Sequence, residues 1–411
     1  MLKTLFGGRT IVPNLVVAQR VLDKILVAAN QYIEDETGEA MAGLVVSGED
    51  TTGVPTVYIL DTIAPDDSAI RHLHTFQQGD SWQDEMFTWL YLNWENQRPT
   101  RKPGGLFDRR PERADKWDAP LVHVGDWHKQ PGNMIAPSGG DLMTALDILS
   151  DRERQLDFLL APIVTLDHPA TVGSSEDVRV NFVTLPQPQE EGLSLRVDFW
   201  YIDRQSRMFL PIHPAIYPDH KLPKLAPRPW RLVDEDRYNV EMAQLQGDGL
   251  FTASLPFNMD GKPPLEDCLM IVRQGASKVL LIGTHWDYPN RAPMAFSAPF
   301  MSMGENEVIY DVFMRMWARA EPVKPPADWE WTPERYLIDY VHMLEDTLGI
   351  ERPAIEVATA GNADEAAESA PETAESAPET GDVGTGGGAE EATAASNEEP
   401  EPDDTTGEKT S

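Results

Sequence analysis

The stretch "GDWHKQPGNMIAPSGGD", residues 125–141, places His128, Gln130, Ser138 and Asp141 in one short span. These residue types suit hydrolysis assisted by zinc. Such a site needs three protein ligands, an open position for water, a general base and a donor for the developing oxyanion. His128 falls where strand-like sequence runs into a loop, and Pro131 and Gly132 then turn the chain. Asp141 falls at the start of a helix-like run, where the helix dipole favours a carboxylate. Ser138, three residues earlier, offers a hydroxyl. Gln130 is the departure, because a neutral amide oxygen is a weaker zinc ligand than imidazole.

The elements that must hold these residues alternate between helical and strand patterns over the first 215 residues. Leu15, Ala18, Leu22, Ile25 and Ala29 recur at helical spacing and predict a helix capped by Asn14. "MAGLVVSG" (41–48) and "PTVYILDTI" (55–63) read as strands bounded by turn residues. "SWQDEMFTWLYLNWENQ" (81–97) reads as a helix with an aromatic face, and "APLVHVGDWH" (119–128) as a buried strand feeding the site loop. "GGDLMTALDILSD" (139–151) reads as a helix, and "FLLAPIVTL", "VRVNFVTL" and "LSLRVDFWYID" as further strands. The expected fold class is α/β (α+β), a mixed sheet flanked by helices.

The spacing resembles that of the JAMM/MPN metalloproteases: His-x-His, seven residues, Ser-x-x-Asp, and a glutamate far upstream. Here His128, Lys129, Gln130, seven residues, Ser138, two glycines and Asp141 keep that register, and the "WHKQP" and "PSGGD" contexts match as well. The family's glutamate stands just before a strand with a Gly-Leu pair. Glu39, ahead of "AMAGLVVSG", takes that place one residue farther from Gly43 than the commonest spacing, with Glu36 as second choice. The resemblance spans roughly residues 15–215. It implies zinc held by His128, Gln130 and Asp141, Glu39 as general base, and Ser138 hydrogen-bonding the tetrahedral oxyanion. The implied reaction is cleavage of a peptide or isopeptide bond after the C-terminal glycine of a ubiquitin-like protein. The rival is a pseudoenzyme adaptor that binds such proteins without cutting them.

His72 and His74, in "RHLHTF", could replace the missing ligand, although loop or core residues are the plainer reading. His123 precedes His128 by five residues, so strand alternation sends it to the opposite face, into the core.

Beyond the proline-rich stretch "PAIYPDHKLPKLAPRP" (214–229) come a helix ("WRLVDEDRYNVEMAQLQ"), strands near 250–256, 268–273 and 278–284, and Tyr288-Pro289 with Pro293. "WTPERYLIDYVHMLEDTLGI" then starts a final helix, 334–348. This order and its Tyr-Pro turn resemble the ubiquitin-conjugating-enzyme fold and its RWD relatives. A conjugating enzyme needs a cysteine between that turn and the late helix. None lies there, and Cys268, the single cysteine, reads as core. The resemblance therefore implies a binding module for a ubiquitin-like protein or a ligase-pathway partner. The expected organisation is residues 1–215, a linker at 216–228, residues 229–350, and an acidic disordered tail at 351–411.

The formal net charge is -34, and 16 acidic residues against Lys409 fall from Pro353 onward. The rest is still acidic, which argues against nucleic acid or an anionic membrane as partner. The tail repeats "AESAPET" at 367–373 and 374–380 and has almost no large apolar residue to offset ordering. One basic run, 98–116, precedes the site strand and includes Arg109 and Arg110. A substrate-contacting role is open to it, beside that of a solvated loop. No stretch approaches a membrane span or a signal peptide, so a cytoplasmic protein is expected.

Overall fold

A computed structural model of the chain describes residues 11–48, 53–79, 81–98, 116–153, 156–169, 180–186 and 193–352. The basic run between 99 and 115 and the acidic tail from 353 onward lie outside the described residues. The class is mixed α/β. In chain order, the first part holds β1 (Asn14–Ala18), α1 (Gln19–Gln31), β2 (Gly38–Val46), β3 (Thr56–Ile63), β4 (Ile70–His72) and β5 (Thr75–Gln77). It continues with α2 (Ser81–Gln97), β6 (Leu121–Lys129), α3 (Gly139–Ser150), β7 (Phe158–Leu160) and β8 (Ile163–Pro169). Then come β9 (Phe182–Pro186), β10 (Leu193–Asp198), β11 (Trp200–Asp203), β12 (Leu210–Pro211) and β13 (Pro214–Tyr217). The main sheet runs β12-β11-β7-β6-β2-β3-β1-β13, with β8 also on β6 and β10 joining β8 to β9. The β4–β5 pair is a separate hairpin.

The predicted Asn14-capped helix begins later than its periodicity suggests. Asn14 opens β1, and its N–H donates to the Pro55 carbonyl at 2.9 Å. Leu15, Val16 and Val17 form an unbroken buried run, which suits a strand covered on both faces rather than one turn of an amphipathic helix. α1 then buries Val21, Leu22, Ile25 and Ala29 on one stripe. The long apolar runs are split where the ladder fails. Ala161 and Pro162 separate β7 from β8, and Phe199 separates β10 from β11. Part of the proline-rich stretch is built into the first sheet: Leu15–Ala18 pair in parallel with Pro214–Tyr217, and Leu222 joins the same core.

The second part contains α4 (Glu235–Gly247), β14 (Leu250–Phe257), β15 (Glu266–Arg273), β16 (Lys278–Thr284), β17 (Met294–Pro299), α5 (Ile309–Trp317), β18 (Glu321–Pro322) and α6 (Leu337–Leu348). α4 starts after the expected Trp230 because Asp234 caps it, accepting from the Arg237 N–H at 3.1 Å. The five strands form an antiparallel meander in chain order. On one face α4 and α6 cover Leu269, Ile271, Leu280 and Ile282; the other carries α5 over Met270, Val279 and Leu281. The Tyr288 ring packs on Trp230 with centroids 4.6 Å apart, and its hydroxyl donates to Glu241 at 2.6 Å.

β6 is the strand on which the site depends. It is antiparallel to β2, with His128 opposite Gly38 and Trp127 opposite Glu39. Its register shifts between Met41 and Ala42, where Met41 faces Gly125 and Ala42 faces His123. Gly125 has φ +138, and a Cβ there would lie 2.0 Å from the Leu160 carbonyl oxygen. Gly125→Ala is therefore expected to destabilise the fold by more than about 2 kcal/mol. Urea unfolding of the variant beside the wild type measures this, and an unchanged midpoint would contradict it.

Candidate functional site

Strand alternation on β6 sorts the "WHKQ" residues. Trp127 and Lys129 face α1, and Lys129 is buried with its ammonium on the Tyr32 and Ile33 carbonyls that close the helix. His128 and Gln130 take the other face. Their backbones are fixed on both sides: the N–H groups of His128 and Gln130 donate to the Pro162 and Val164 carbonyls at 3.1 and 2.9 Å. The Lys129 N–H donates to Thr37 at 2.7 Å. The following loop is pinned by the Trp200 indole, which donates to the Ile135 carbonyl at 2.9 Å.

α3 brings the other pair. Ser138 caps it, and its hydroxyl oxygen accepts from the Asp141 N–H at 3.2 Å, while an Asp141 oxygen accepts from the Ser138 N–H at 2.6 Å. Ser138 and Asp141 thus form a capping box. The Gln130 amide nitrogen donates to the same Asp141 oxygen at 2.9 Å and lies 3.2 Å from His128 Nε2. His128 Nε2 is 3.4 Å from the second Asp141 oxygen. Burial would raise the Asp141 carboxyl, but His128 and the Ser138 donors overcome it and hold Asp141 below its usual range. The structure therefore gathers four sequence-predicted residues, His128, Gln130, Ser138 and Asp141, at one point.

Glu39 is not with them. It lies opposite Trp127 in the ladder, on the face away from His128, and is only 7 % exposed. Burial pushes its carboxyl up, and the groups that moderate it are Thr62, Lys24, Trp127 and Arg228 rather than His128 or Asp141. The residue on the site face is Ala40, opposite Asp126. That is the residue one step nearer Gly43, so the extra residue in the spacing has turned the glutamate away. Glu36, in the segment before β2, lines the cleft instead. Burial raises its pKa and the Asp141 charge adds to this, against His128, His74 and Lys129. Among the carboxyls that line the cleft, Glu36 is thus one whose charged form burial disfavours.

The cleft has a volume of about 1310 Å³ and is walled by α2, α3, β6 and the β4–β5 hairpin. His123 lines it, contrary to the alternation argument, because the shift at Gly125 skips one residue and returns His123 to the face of Asp126 and His128. His123 Nε2 lies 3.0 Å from Asp126, which also accepts from the Gln78 amide at 2.8 Å. His74 lines the cleft as well. No periodicity in the sequence points to the hairpin that carries it.

The residues present fit a tetrahedral metal. Bonds of about 2.0–2.1 Å put neighbouring ligands about 3.3 Å apart, close to the 3.4, 3.2 and 2.9 Å separations among His128, Gln130 and Asp141. Gln130 is 4 % exposed and its Oε1 has no hydrogen-bond partner, which is costly for a buried acceptor. Turning the amide end over would place that oxygen where the nitrogen now stands, facing both other ligands. A second possible metal-binding group, Asp248, His342 and Glu345, has ligand atoms within 4.8 Å of one another. Arg273 already pairs with both of its carboxylates. Cys268 is fully buried, and burial pushes its thiol up. No helix among the described residues is long and apolar enough to cross a membrane.

Comparison with family models gave no match, and neither did comparison with curated proteins. Among solved structures, the solution structure of protein DSY2949 from Desulfitobacterium hafniense aligns at 12% identity with a TM-score of 0.27. It covers 50% of this chain and 93% of that one.

Ser138 holds the helix start whatever else it does. Ser138→Ala is expected to cost about 1 kcal/mol of stability through loss of the cap, read as a lower urea midpoint. A midpoint equal to wild type would show that the capping box contributes nothing.

Proposed function

We propose that the cleft is the active site of a zinc-dependent peptidase or isopeptidase acting on a ubiquitin-like protein conjugate or precursor, with Glu36 in place of Glu39 as base. The observation that carries this reading is the meeting of His128, Gln130 and Asp141 at ligand spacing on the floor of a large cleft that Glu36 also lines. A zinc ion held by these three would supply a Lewis acid and a water acidified toward neutrality. Glu36 takes the proton of the attacking water and returns it to the leaving amine. The Ser138 oxygen accepts from Asp141, so its own hydrogen is available to donate to the oxyanion. Phe76, Phe87 and Tyr91 line the same cleft and offer apolar surface to the acyl segment. The second part, with its meander sheet and no available cysteine, fits a binding module for the same class of partner.

One observation favours the adaptor reading. The Gln130 amide already ties His128 to Asp141 by hydrogen bonds, which a metal-free binding cleft would need.

The test is metal content and turnover on a glycine-ended ubiquitin-like fusion. The wild type should carry close to one zinc per chain, His128→Ala and Asp141→Ala should lose it, and Gln130→His should tighten it. Glu36→Gln should lower kcat by at least about 100-fold with zinc retained, whereas Glu39→Gln should leave kcat within a few-fold of wild type. A wild type that stays metal-free in added zinc would leave the adaptor as the function.

A further inference from the structure

The cleft carries a charge pattern that a metal alone does not explain. Four carboxylates line it, Glu36, Asp84, Asp126 and Asp141, and among the described residues no lysine or arginine does. A wall of one sign favours a ligand of the other. Asp141 and Glu36 already have roles at the metal, which leaves Asp84 and Asp126 for the rest of the ligand. Asp84 stands exposed on the first turn of α2. Asp126 is different, because the fold aims it.

Asp126 sits two residues before His128 on the same face of β6, so their backbones are about 7 Å apart. Its Oδ1 accepts from Gln78 Nε2 at 2.8 Å and lies 3.0 Å from His123 Nε2. Behind Gln78 stands Gln83, buried, whose Nε2 donates to the Ile63 carbonyl at 2.8 Å and to Gln78 Oε1 at 3.2 Å. That bond fixes which end of the Gln78 amide is the donor. The hairpin that precedes Gln78 is itself held down. The Glu36 N–H donates to the His72 carbonyl at 3.0 Å, and a Cβ on Gly38 would meet the Phe76 ring at 2.7 Å. A chain of hydrogen bonds thus runs from the core to one carboxylate, whose side chain is still 31% exposed in the cleft. The Phe87 ring packs edge-to-face on His123 with centroids 5.5 Å apart, and with Tyr91 it offers a surface to the alkyl stem of a long cation. A second sign of a ligand lies two residues past His128. Gln130, 4 % exposed, leaves its Oε1 without a partner in the same cleft.

Resting on the peptidase reading above, we infer that Asp126 is a specificity-determining residue. It pairs with a basic side chain of the acyl segment, lysine or arginine, within about two residues of the bond that is cut. The spacing sets that limit, because Asp126 is two strand residues from His128 and an extended substrate advances by the same rise per residue. Gln78 and Gln83 are positioning residues that hold the carboxylate toward the cleft. His128, Gln130 and Asp141 remain the metal ligands.

The experiment measures binding of four fluorescent peptides to the full chain by anisotropy, at neutral pH with zinc added. Each peptide ends in a free glycine, so it stands for the acyl product and is not cut. Each is otherwise alanine, except that both positions before the glycine carry arginine, lysine, citrulline or glutamate. Wild type should bind the arginine and lysine peptides about fivefold more tightly than the citrulline peptide, the upper end for a partly exposed ion pair. The glutamate peptide should bind least, and added salt should narrow the gap. Asp126→Asn keeps an oxygen for Gln78 and His123 but removes the charge. It should bind the arginine peptide as weakly as the citrulline peptide, with citrulline affinity unchanged, and Asp126→Lys should prefer the glutamate peptide. A merely structural role for Asp126 would weaken all four peptides together and keep their ratios, which would overturn the proposal. Equal binding of the arginine and citrulline peptides by wild type would overturn it as well. Zinc content and turnover are read separately, so either result leaves the peptidase reading standing. A wild type that binds none of the four would overturn peptide recognition by the cleft, and the role of Asp126 with it.

Discussion

The register of one strand, β6 against β2, fixes the site. From Asp126 to Gln130 the strand alternates strictly, so Trp127 and Lys129 enter the body while Asp126, His128 and Gln130 enter the cleft. Lys129 makes that register costly to change. Its ammonium is buried on the carbonyls that end α1, and a slip of one residue would send it to the cleft face and bury the histidine in its place. The charged residue between His128 and Gln130 thus acts as an anchor for them. Toward the other end of the strand, Gly125 lets the chain approach β7 too closely for any side chain, and the bulge there turns His123 toward the cleft.

That bulge marks where the sequence was legible and where it was not. β2, β3, α2, α3 and β6 follow from their apolar runs and the turn residues that bound them. His128, Gln130, Ser138 and Asp141 meet as their spacing predicts, since a strand end, a tight turn and a capped helix leave little freedom over so few residues. Glu39 and His123 fall on the unexpected faces for different reasons. Glu39 stands one residue farther from Gly43 than the family spacing, whereas the ladder at His123 skips Val124, which simple alternation does not foresee. The hairpin with His74 has three-residue strands, too short to show a period, and its place follows from long-range contacts with Glu36 and Gly38. β1 was hidden differently: a fully buried strand running straight into a helix leaves a single apolar run that fits helical spacing.

Ser138 and Asp141 weaken any argument from mere retention of motif residues. Each has a complete structural task in the capping box, its side chain accepting from the other's backbone N–H. A chain that had lost all chemistry would still gain about 1 kcal/mol by keeping them. His128 and Gln130 have no such task in the core. Gln130 leaves a buried oxygen without a partner, and a position under packing selection alone would be better filled by an apolar side chain of similar size. The unsatisfied amide is therefore more informative about function than the two residues that look most like a motif.

The long aromatic helix α2 explains how one body serves both halves of the described chain. It has no single apolar stripe because three of its faces are occupied. Met86, Leu90 and Trp94 face the first core. Asp84, Phe87, Thr88 and Tyr91 form a wall of the cleft. Trp82, Glu85, Trp89 and Asn93 meet the second part and the segment leading to it. The two indoles donate to the Leu232 and Pro227 carbonyls at 3.2 and 2.9 Å, Glu85 pairs with Arg231, and Asn93 accepts from the Leu265 N–H at 2.8 Å. Arg231 also reaches Asp267 at the start of β15, a buried carboxyl that desolvation pushes up to about 6 despite that partner. Most of these contacts are directional hydrogen bonds, which tolerate little sliding. The cleft wall and the second sheet are consequently held in one geometry by the same helix, and the position of Phe87 and Tyr91 over the site depends on contacts made on the helix's far side.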